Sequence, residues 1–286
     1  MAISTGTKNL IEDKDYSDKK ICAVGAVHKN DNPYHFRSAL ESVFDQVEIV
    51  FDTHVVIDGE IGDDLKSVLI DFPQIYVTQL PNSLGLGLAL SEIFKQKIYG
   101  KYDIAIRFDA DDINYSGRFL SLVDAINTED FDLVGSHMYE INELSEIIGA
   151  RRVPISASKI KIYKSFVNPF NHPSIAFKVP VLKAIGGYQH CYLHEDWLLW
   201  LHFIKFGFNV GNLNQYLVGF RISEGTIDRR FGAKYRKHEI NFYVDAMSNN
   251  LINPFLGCIG LVLRQLSKLL GRGIFIFLYR LLRKII

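Results

Sequence analysis

Cysteine is scarce in this chain of 286 residues, and its three copies stand far apart, at Cys22, Cys191 and Cys258. Their spacing matches neither a metal-ligand pattern nor a disulfide framework. The sequence therefore predicts a protein of a reducing compartment, the cytosol.

Long apolar runs are also missing. The runs Leu251–Leu263 and Gly273–Leu282 are shorter than the roughly 20 residues that a membrane-spanning helix needs, and basic residues break up this region. Residues 1–20 are polar and charged, without the apolar stretch of a secretory signal. We therefore expect a flexible N-terminal arm over residues 1–20.

The chain has no net charge, since 32 Lys and Arg balance 32 Asp and Glu, so its charge gives no indication of nucleic-acid binding. The balance is uneven, however. Residues 251–286 contain no acidic residue and six basic ones, Arg264, Lys268, Arg272, Arg280, Arg283 and Lys284. This pattern favours amphipathic segments lying on an anionic membrane surface. The alternative is a pair of amphipathic helices packed on the protein itself.

The most informative feature that is present is an apolar run ending in three carboxylates. Ile104–Phe108 has the β-branched and aromatic residues of a buried strand, and Asp109 and Asp111 follow it two residues apart. Carboxylates at the carboxyl end of a strand lie where open α/β sheets bind ligands. Two that converge favour a hard divalent cation such as Mg²⁺ or Mn²⁺. A solvated turn, with Ser116 capping the next helix, is the alternative.

Short apolar strands alternate with helical patterns through the first half of the chain. Strands are expected at Ile21–Val27, His54–Ile57, Ile75–Val77, Ile104–Phe108 and Phe131–Gly135, and helices at Tyr34–Gln46, Leu65–Ile70 and Leu88–Ile98. This alternation predicts an α/β fold with a mostly parallel central sheet and helices on both faces. Three strands end in polar residues, His28, Asp58 and Asp109, which would line one crevice.

The rhythm changes after Gly135, so the expected division is a first half over about 21–135, which contains the crevice, and a second half over about 136–240. A basic, apolar helical tail would occupy residues 241–286. In the second half, Glu195 and Asp196 precede the strongly apolar helix Trp197–Ile204. Acidic residues are favoured at the first turn of a helix, which by itself explains them without any function.

Taken together, several segments resemble the family 2 glycosyltransferases with the A-type, Rossmann-like nucleotide-diphospho-sugar fold, in the branch that builds amylovoran, O-antigen and capsule. The segments are Val55–Gly59, Ser83–Gly87, Arg107–Ile113, Asn168–Ser174, Gly186–Tyr188, Glu195–Trp200 and Gly225–Arg230. The resemblance covers about residues 21–237. It implies that the half over about 21–135 binds the nucleotide and that the half over about 136–240 binds the acceptor.

The resemblance implies a donor site and a metal site. Asp58 would contact the uracil, Ala26 would offer its backbone to the nucleotide, and Asp109 would face the ribose. Asp111, with Asp109, would hold a divalent cation, Mn²⁺ or Mg²⁺, while Asp112 would be a supporting or turn residue. Arg229 and Arg230 would cover the diphosphate of the donor from a loop.

The resemblance also implies a catalytic base, Asp196, with Glu195 as the neighbour that orients it. Related chains often have Tyr and Asp where this one has Trp197 and Leu198, which puts the acceptor side in question. Trp197 would stack on an acceptor sugar or belong to the core. His172 would line the acceptor pocket or be structural.

The sequence thus predicts an inverting, metal-dependent glycosyltransferase on the inner face of a bacterial cytoplasmic membrane. Its donor would be a nucleotide-diphospho-sugar, a UDP-hexose, and its acceptor a lipid-diphosphate-linked saccharide of surface polysaccharide biosynthesis. The alternatives are a nucleotidyltransferase on a similar fold and an inactive sugar-nucleotide or polysaccharide-binding module. The loop His28–Asn32 has no glycine, which counts against the nucleotidyltransferase.

Overall fold

The computed structural model describes residues 16–222, 232–269 and residue 273. Within these residues, nine strands form one sheet in the order β3-β2-β1-β4-β8-β6-β9-β5, with β7 paired to β6. The strands are β1 Ile21–Val27, β2 Asp52–Ile57, β3 Tyr76–Gln79, β4 Ile104–Arg107, β5 Ile113–Asn114, β6 Leu133–Ile141, β7 Ile147–Arg151, β8 Ala176–Lys178 and β9 Val210–Arg221.

The first four strands of this order pair in parallel throughout, as the alternating sequence pattern predicts. Beyond β4 the pairing is mixed, because β8 lies antiparallel to both β4 and β6, whereas β6 and β9 are parallel. The carboxyl ends of β1, β2 and β4 therefore lie side by side at one edge of the parallel part. This is the edge where an open α/β sheet binds its ligand.

Helices cover both faces of the sheet. They are α1 Pro33–Phe44, α2 Asp63–Ile70, α3 Leu86–Ile93, α4 Arg118–Thr128, α5 Ala157–Tyr163, α6 Val179–Ala184, α7 Glu195–Lys205, α8 Ala233–Ser248 and α9 Pro254–Leu269. Successive residues of β1 point into different cores, since Cys22 packs in the cluster that includes Trp200 of α7, and Ala23 packs with Phe36 of α1. The alternation places one apolar layer on each face.

Helix α1 shows how local sequence fixes an element beside the crevice. The side chain of Asn32 accepts hydrogen bonds from the backbone N–H groups of Tyr34 and His35, and Pro33 occupies the first turn. Both features favour a helix N-terminus at this point. Phe36 and Leu40 then lie one turn apart and bury completely against the sheet.

The two C-terminal helices are joined by a buried charge cluster. Glu239 of α8 is completely buried, and its carboxylate accepts hydrogen bonds from Arg264, Gln265 and Lys268 of α9. Two cations and an amide thus compensate one buried carboxylate. Burial by itself would raise the pKa of Glu239, but the charges of Arg264 and Lys268 outweigh it and lower this pKa. The guanidinium of Arg264 also lies over Trp197, 5.2 Å from the ring centroid, which ties α9 to α7.

Ending the chain after Asn250 should therefore destabilise the rest of the protein. The truncation removes the three partners of Glu239 and also Leu251 and Ile252, which are buried in one cluster with Trp197. Burying each aliphatic side chain contributes about 1.5–3 kcal/mol. Thermal unfolding of purified proteins measures the loss. A chain ending after Leu269 keeps α9 and is the matched control, expected to unfold close to the parent temperature. Equal melting temperatures for the two truncations would contradict this role of α9.

These contacts alter three expectations about the ends of the chain. Arg264 and Lys268 bind Glu239 and are not free to attract anionic lipid. The expected boundary at residue 240 falls inside α8, which continues to Ser248. Part of the expected N-terminal arm is packed, because the hydroxyl of Tyr16 donates to Asp124 of α4 at 2.6 Å.

Among the described residues, no helix combines the length and the apolar character needed to cross a bilayer. The run Gly273–Leu282 and the four basic residues from Arg272 onward lie outside the described part of the chain, apart from Gly273 itself.

Candidate functional site

Asp58 follows β2 and organises the glycine-containing loop beside it. Its buried carboxylate accepts hydrogen bonds from the hydroxyl of Ser83 at 2.9 Å and from the backbone N–H groups of Leu84 at 2.6 Å and Gly85 at 2.9 Å. Gly85 has φ +86°, a conformation that glycine adopts without steric cost. The structure thus gives Asp58 a loop-holding role, in addition to the base contact expected of it.

Asp109 follows β4 and is held by a buried arginine from the same strand. Arg107 is 2 % exposed and ion-pairs with the carboxylate of Asp109, while its other terminal nitrogen donates to the carbonyl of Val24 at 3.3 Å. An arginine can anchor two acceptors at once because its donors have a fixed planar arrangement. The end of β1 and the carboxylate after β4 are therefore fixed relative to each other.

Three carboxylates converge in the turn after β4. Asp109, Asp111 and Asp112 each place one oxygen within 4.8 Å of the others. Partial burial, together with the charges of Asp109 and Asp31, raises the pKa of Asp111 to about 7. Burial and then the charges of Asp111 and Asp109 raise the pKa of Asp112 well above its usual range. These shifts show that the protein places more negative charge here than it compensates.

The oxygen set fits a hard divalent cation. Carboxylate oxygens are the ligands that Mg²⁺ and Mn²⁺ prefer. Asp112 Oδ2 is buried, and no hydrogen bond from the described residues reaches it. A bound cation would compensate the charge that raises these pKa values, and so the residues present fit such an ion.

Arg221, at the end of β9, fixes the backbone of this carboxylate turn. Its backbone N–H donates to Asp112 at 2.9 Å, and its guanidinium donates to the carbonyl of Asp111 at 2.9 Å. The same guanidinium donates to the carbonyl of Asn142 in the turn between β6 and β7. One buried residue thus connects the turn after β4 to two strands of the second half of the chain.

The second pair of carboxylates opens α7. Asp196 accepts a hydrogen bond from the amide of Asn168 at 2.6 Å through Oδ2, and from the backbone N–H of Trp197 at 2.7 Å through Oδ1. The carboxylate is therefore oriented by a residue from another segment as well as by its own helix. Helix polarity alone would not require the contact from Asn168.

Glu195 lies beside Asp196 and packs against Gly87, in the first turn of α3. A Cβ at Gly87 would come within 2.8 Å of Glu195 Cγ, so only glycine lets α3 approach α7 this closely. Burial and the charge of Asp196 raise the pKa of Glu195 to about 7. The helix that follows the loop held by Asp58 therefore packs against the first turn of α7.

Tyr188 and the segment bonded to it lie near both carboxylate sites. The hydroxyl of Tyr188 is buried and bonds to His172 at 2.9 Å. Burial raises the pKa of Tyr188; the charge of Arg107 opposes the shift, and the charges of Asp196, Asp109 and Glu195 add to it. The segment of His172 contacts both places directly, since Asn168 donates to Asp196 and one nitrogen of Arg118 donates to the carbonyls of both Pro173 and Arg107. The end of β4 and the first turn of α7 therefore meet the same short segment of the chain.

Two residues expected on the acceptor side are buried. Trp197 is 3 % exposed, packs with Phe242 and Tyr243 of α8, and donates its indole N–H to the carbonyl of Lys164. His172 is also buried and bonds through Nε2 to the hydroxyl of Tyr188, while burial and then the charge of Arg107 hold its pKa well below the usual range. Burial and these internal hydrogen bonds favour the core alternative for both residues.

Of the other expected donor-site residues, the structure describes Ala26 but neither arginine of the loop. Ala26 lies partly buried near the carboxyl end of β1, opposite Val56 of β2. Arg229 and Arg230 lie outside the described residues.

Three residues of the site have no role in the sequence-based assignment. They are Arg107, Asn168 and Arg221, which hold Asp109, Asp196 and the carboxylate turn respectively. Arg107 carries a signal in retrospect, since a charged residue inside an apolar strand needs a partner when buried. Asn168 opens one of the segments that carry the family resemblance, although no role was assigned to it there. Arg221 has no signal, because its partners are far away along the chain.

Comparison with known proteins agrees with this geometry. The family model described as "Glycosyl transferase family 2" matches residues 34–186. A UDP-Gal:alpha-D-GlcNAc-diphosphoundecaprenol beta-1,3-galactosyltransferase of Escherichia coli is 31 % identical over 268 residues, which cover 91 % of this chain and 95 % of that protein. The amylovoran biosynthesis glycosyltransferase AmsE of Erwinia amylovora is 26 % identical, over 91 % of this chain and 97 % of its own length.

The fold has relatives among solved structures. The mannosyltransferase PcManGT of Pyrobaculum calidifontis, solved in complex with GDP-Man and Mn²⁺, superposes with a TM-score of 0.63. The match covers 85 % of this chain and 69 % of that one at 12 % sequence identity. At this identity the likeness concerns the fold, which is the A-type glycosyltransferase fold expected from the sequence.

Proposed function

The chain belongs to glycosyltransferase family 2, and on this premise we propose that it is an inverting, metal-dependent hexosyltransferase of bacterial surface polysaccharide biosynthesis. We propose a UDP-hexose as the donor and a lipid-diphosphate-linked saccharide as the acceptor. The E. coli relative named for a UDP-sugar donor and an undecaprenol-linked acceptor supports both choices, since it matches nearly the whole chain.

The observation that carries the proposal is a pair of separate carboxylate sites that meet one segment, Asn168–Pro173. Asp109, Asp111 and Asp112 lie at the end of the parallel sheet, where the nucleotide of such folds binds. Asp196 lies at the start of α7, oriented by Asn168. A glycosyl transfer needs these two functions, one at the leaving diphosphate and one at the attacking hydroxyl.

Each residue has a definite task in this chemistry. Asp111 and Asp109, with Asp112 next to them, would hold the cation. A divalent ion bound there would act as a Lewis acid and stabilise the negative charge that the departing diphosphate gains. Asp196 takes the proton of the acceptor hydroxyl while that oxygen bonds to the anomeric carbon. The bond from the anomeric carbon to the diphosphate breaks at the same time. One base and one displacement invert the anomeric centre, so an α-linked donor gives a β-linkage.

The test is to incubate the purified chain with UDP-hexoses, Mn²⁺ or Mg²⁺ and a sugar-diphospho-lipid, and to identify the nucleotide released. UDP together with an extended lipid-linked product is the expected result. A nucleotidyltransferase would release pyrophosphate instead, and a binding module would release nothing. Either of these outcomes rejects the proposal.

We further propose that the protein works at the inner face of the cytoplasmic membrane. The supporting feature is the outer face of α9, where Phe255, Ile259, Val262, Leu266 and Leu269 are all exposed. Their spacing of three and four residues puts them on one stripe, opposite the face that binds Glu239. An apolar stripe of this kind inserts into the interface of a bilayer, and the acid-free sequence around it suits anionic lipid.

The double substitution Val262→Glu and Leu266→Glu should therefore abolish flotation with vesicles of phosphatidylglycerol while leaving the folded protein intact. The parent is expected to float with these vesicles and to float less with phosphatidylcholine alone. Ile70→Glu is the control, because Ile70 is 75 % exposed on α2 in the other half of the molecule. A parent protein that stays at the bottom of the gradient argues against a membrane surface.

A further inference from the structure

A cation and an aromatic cluster lie directly beside the first turn of α7, outside the residues assigned so far. Tyr192 is exposed, and its ring lies 4.4 Å from the ring of His238 of α8. The ammonium of Lys234, one turn earlier on α8, lies 5.0 Å from the centroid of the same ring. Within residues 16–222 and 232–269, no carboxylate forms an ion pair with Lys234.

The position of this cluster relative to α7 is fixed by packing. His194, the residue before α7, stacks on Phe242 of α8 with ring centroids 4.8 Å apart. Its Nε2 also lies 3.4 Å from the hydroxyl of Tyr235. Lys234 and His238 on the neighbouring face of α8 are therefore held close to the end of α7 that carries Asp196.

The backbone at this place is unusual as well. Leu193 has φ +59°, the left-handed region that residues other than glycine rarely adopt. Such a conformation costs free energy and tends to be retained at ligand sites. The side chains of Tyr192 and Leu193, three and two residues before Glu195, are both about 40 % exposed.

We propose that Lys234 and His238, with Tyr192 between them, bind the diphosphate of the acceptor, an inference that rests on the proposed function. The acceptor hydroxyl must reach Asp196, so the diphosphate on the same sugar comes close to two carboxylates, Glu195 and Asp196. Bringing like charges together is unfavourable unless a cation compensates them. Lys234 is a cation at that end of α7, and an imidazole N–H of His238 can donate to a phosphate oxygen.

Two acceptors that differ only in the diphosphate test the assignment. One is α-GlcNAc diphosphate esterified to a long-chain alcohol, and the other is the α-GlcNAc glycoside of the same alcohol. Both are assayed with the UDP-hexose that gives the fastest transfer by the parent. Lys234→Ala should raise KM for the diphosphate acceptor about tenfold, the effect of losing one charge-assisted hydrogen bond. The KM values for the donor and for the glycoside should change little.

Matched variants separate this effect from damage to the fold. Lys234→Arg keeps the charge and should restore most of the affinity for the diphosphate acceptor. Lys237→Ala removes an exposed charge from the same helix that, unlike Lys234, does not lie over the Tyr192 ring, and this variant should behave as the parent does. Higher salt should raise the parent's KM for the diphosphate acceptor more than that for the glycoside, because salt screens exposed charges.

The possible outcomes distinguish the inference from the function beneath it. If the parent transfers sugar but Lys234→Ala has parental KM values for both acceptors, or raises both equally, the diphosphate site is wrong while the proposed function stands. If the parent releases no UDP with either acceptor, the proposed function itself fails, and the inference fails with it.

Discussion

Replacing Asp196 by asparagine is expected to lower the rate of sugar transfer by about 10² or more, the usual contribution of a general base. The binding of the sugar nucleotide should not change, because Asp196 is proposed to act on the acceptor hydroxyl. An amide has the same shape as the carboxylate but cannot take up the proton. Single-turnover transfer and calorimetric donor affinity, measured on one preparation, give the two quantities.

The structural consequences of this substitution are small and can be separated from the loss of the base. The asparagine oxygen can still accept the hydrogen bond from the N–H of Trp197, but its NH₂ would face the NH₂ of Asn168. Rotation of the Asn168 amide would present its oxygen instead. We expect a stability loss of about 1 kcal/mol, comparable to one hydrogen bond. If Asp196 only complemented the helix dipole, a loss of about 0.3–1 kcal/mol with an unchanged rate would be the whole effect.

Glu195→Gln provides the matched control on the same turn of α7. Glu195 packs against Gly87, and its pKa of about 7 makes it the obvious rival for the role of base. We expect a smaller fall in rate than for Asp196→Asn, since the glutamine still fills the space beside Gly87. Transfer at close to the parental rate by Asp196→Asn would exclude Asp196 and make Glu195 the next candidate.

The parallel half of the fold was predictable because its signals are local. The run Ile104–Phe108 is apolar on both faces, as a strand covered by helices on both sides must be, and it corresponds to β4. The expected strand Ile21–Val27 matches β1 over its full length. The predicted α/β class followed directly from these elements.

The second half was less predictable because long-range contacts decide it. Strand β9 contains buried Asn212, a residue type that is depleted in strands. Its side-chain NH₂ donates to the carbonyls of Pro154 and Pro169, and neither partner is apparent from the sequence. Strand β8 has only three residues and lies antiparallel between β4 and β6, an order that no local periodicity encodes.

The residues of the candidate site were also predictable only in part, namely where the signal is local. Carboxylates at strand ends and helix starts can be found from the sequence, because strand direction alone brings Asp58, Asp109 and Asp111 to one edge. The residues that aim them, such as Arg107, depend on tertiary contacts. For Trp197, the sequence leaves both acceptor stacking and a core position open. The support for the core position comes from α8 and α9, which cover the side chain.

Replacing Asp111 by asparagine should remove metal-dependent transfer while leaving the fold intact. The expected fall is at least about 10², because Lewis-acid stabilisation of the leaving group contributes several kcal/mol and each 1.36 kcal/mol is a factor of ten. The assay compares turnover over a range of Mn²⁺ and Mg²⁺ concentrations. Asp63→Asn, which changes an exposed carboxylate in the first turn of α2, is the control and should keep parental turnover.

Thermal stability without substrate gives a second, independent measure of the metal site. The folded protein raises the pKa of Asp111 from its ordinary value to about 7, so the folded state holds this proton more tightly than the unfolded chain does. The stability contributed by that proton is therefore lost as the pH rises from about 4 to about 7. Above pH 7 and without metal, Asp111→Asn should melt no lower than the parent, because it removes one of three mutually repelling carboxylates.

Adding Mn²⁺ should raise the melting temperature of the parent and raise that of the variant much less, since a ligand stabilises the state that binds it. Equal stabilisation of both proteins by Mn²⁺, together with parental turnover of the variant, would place the cation elsewhere.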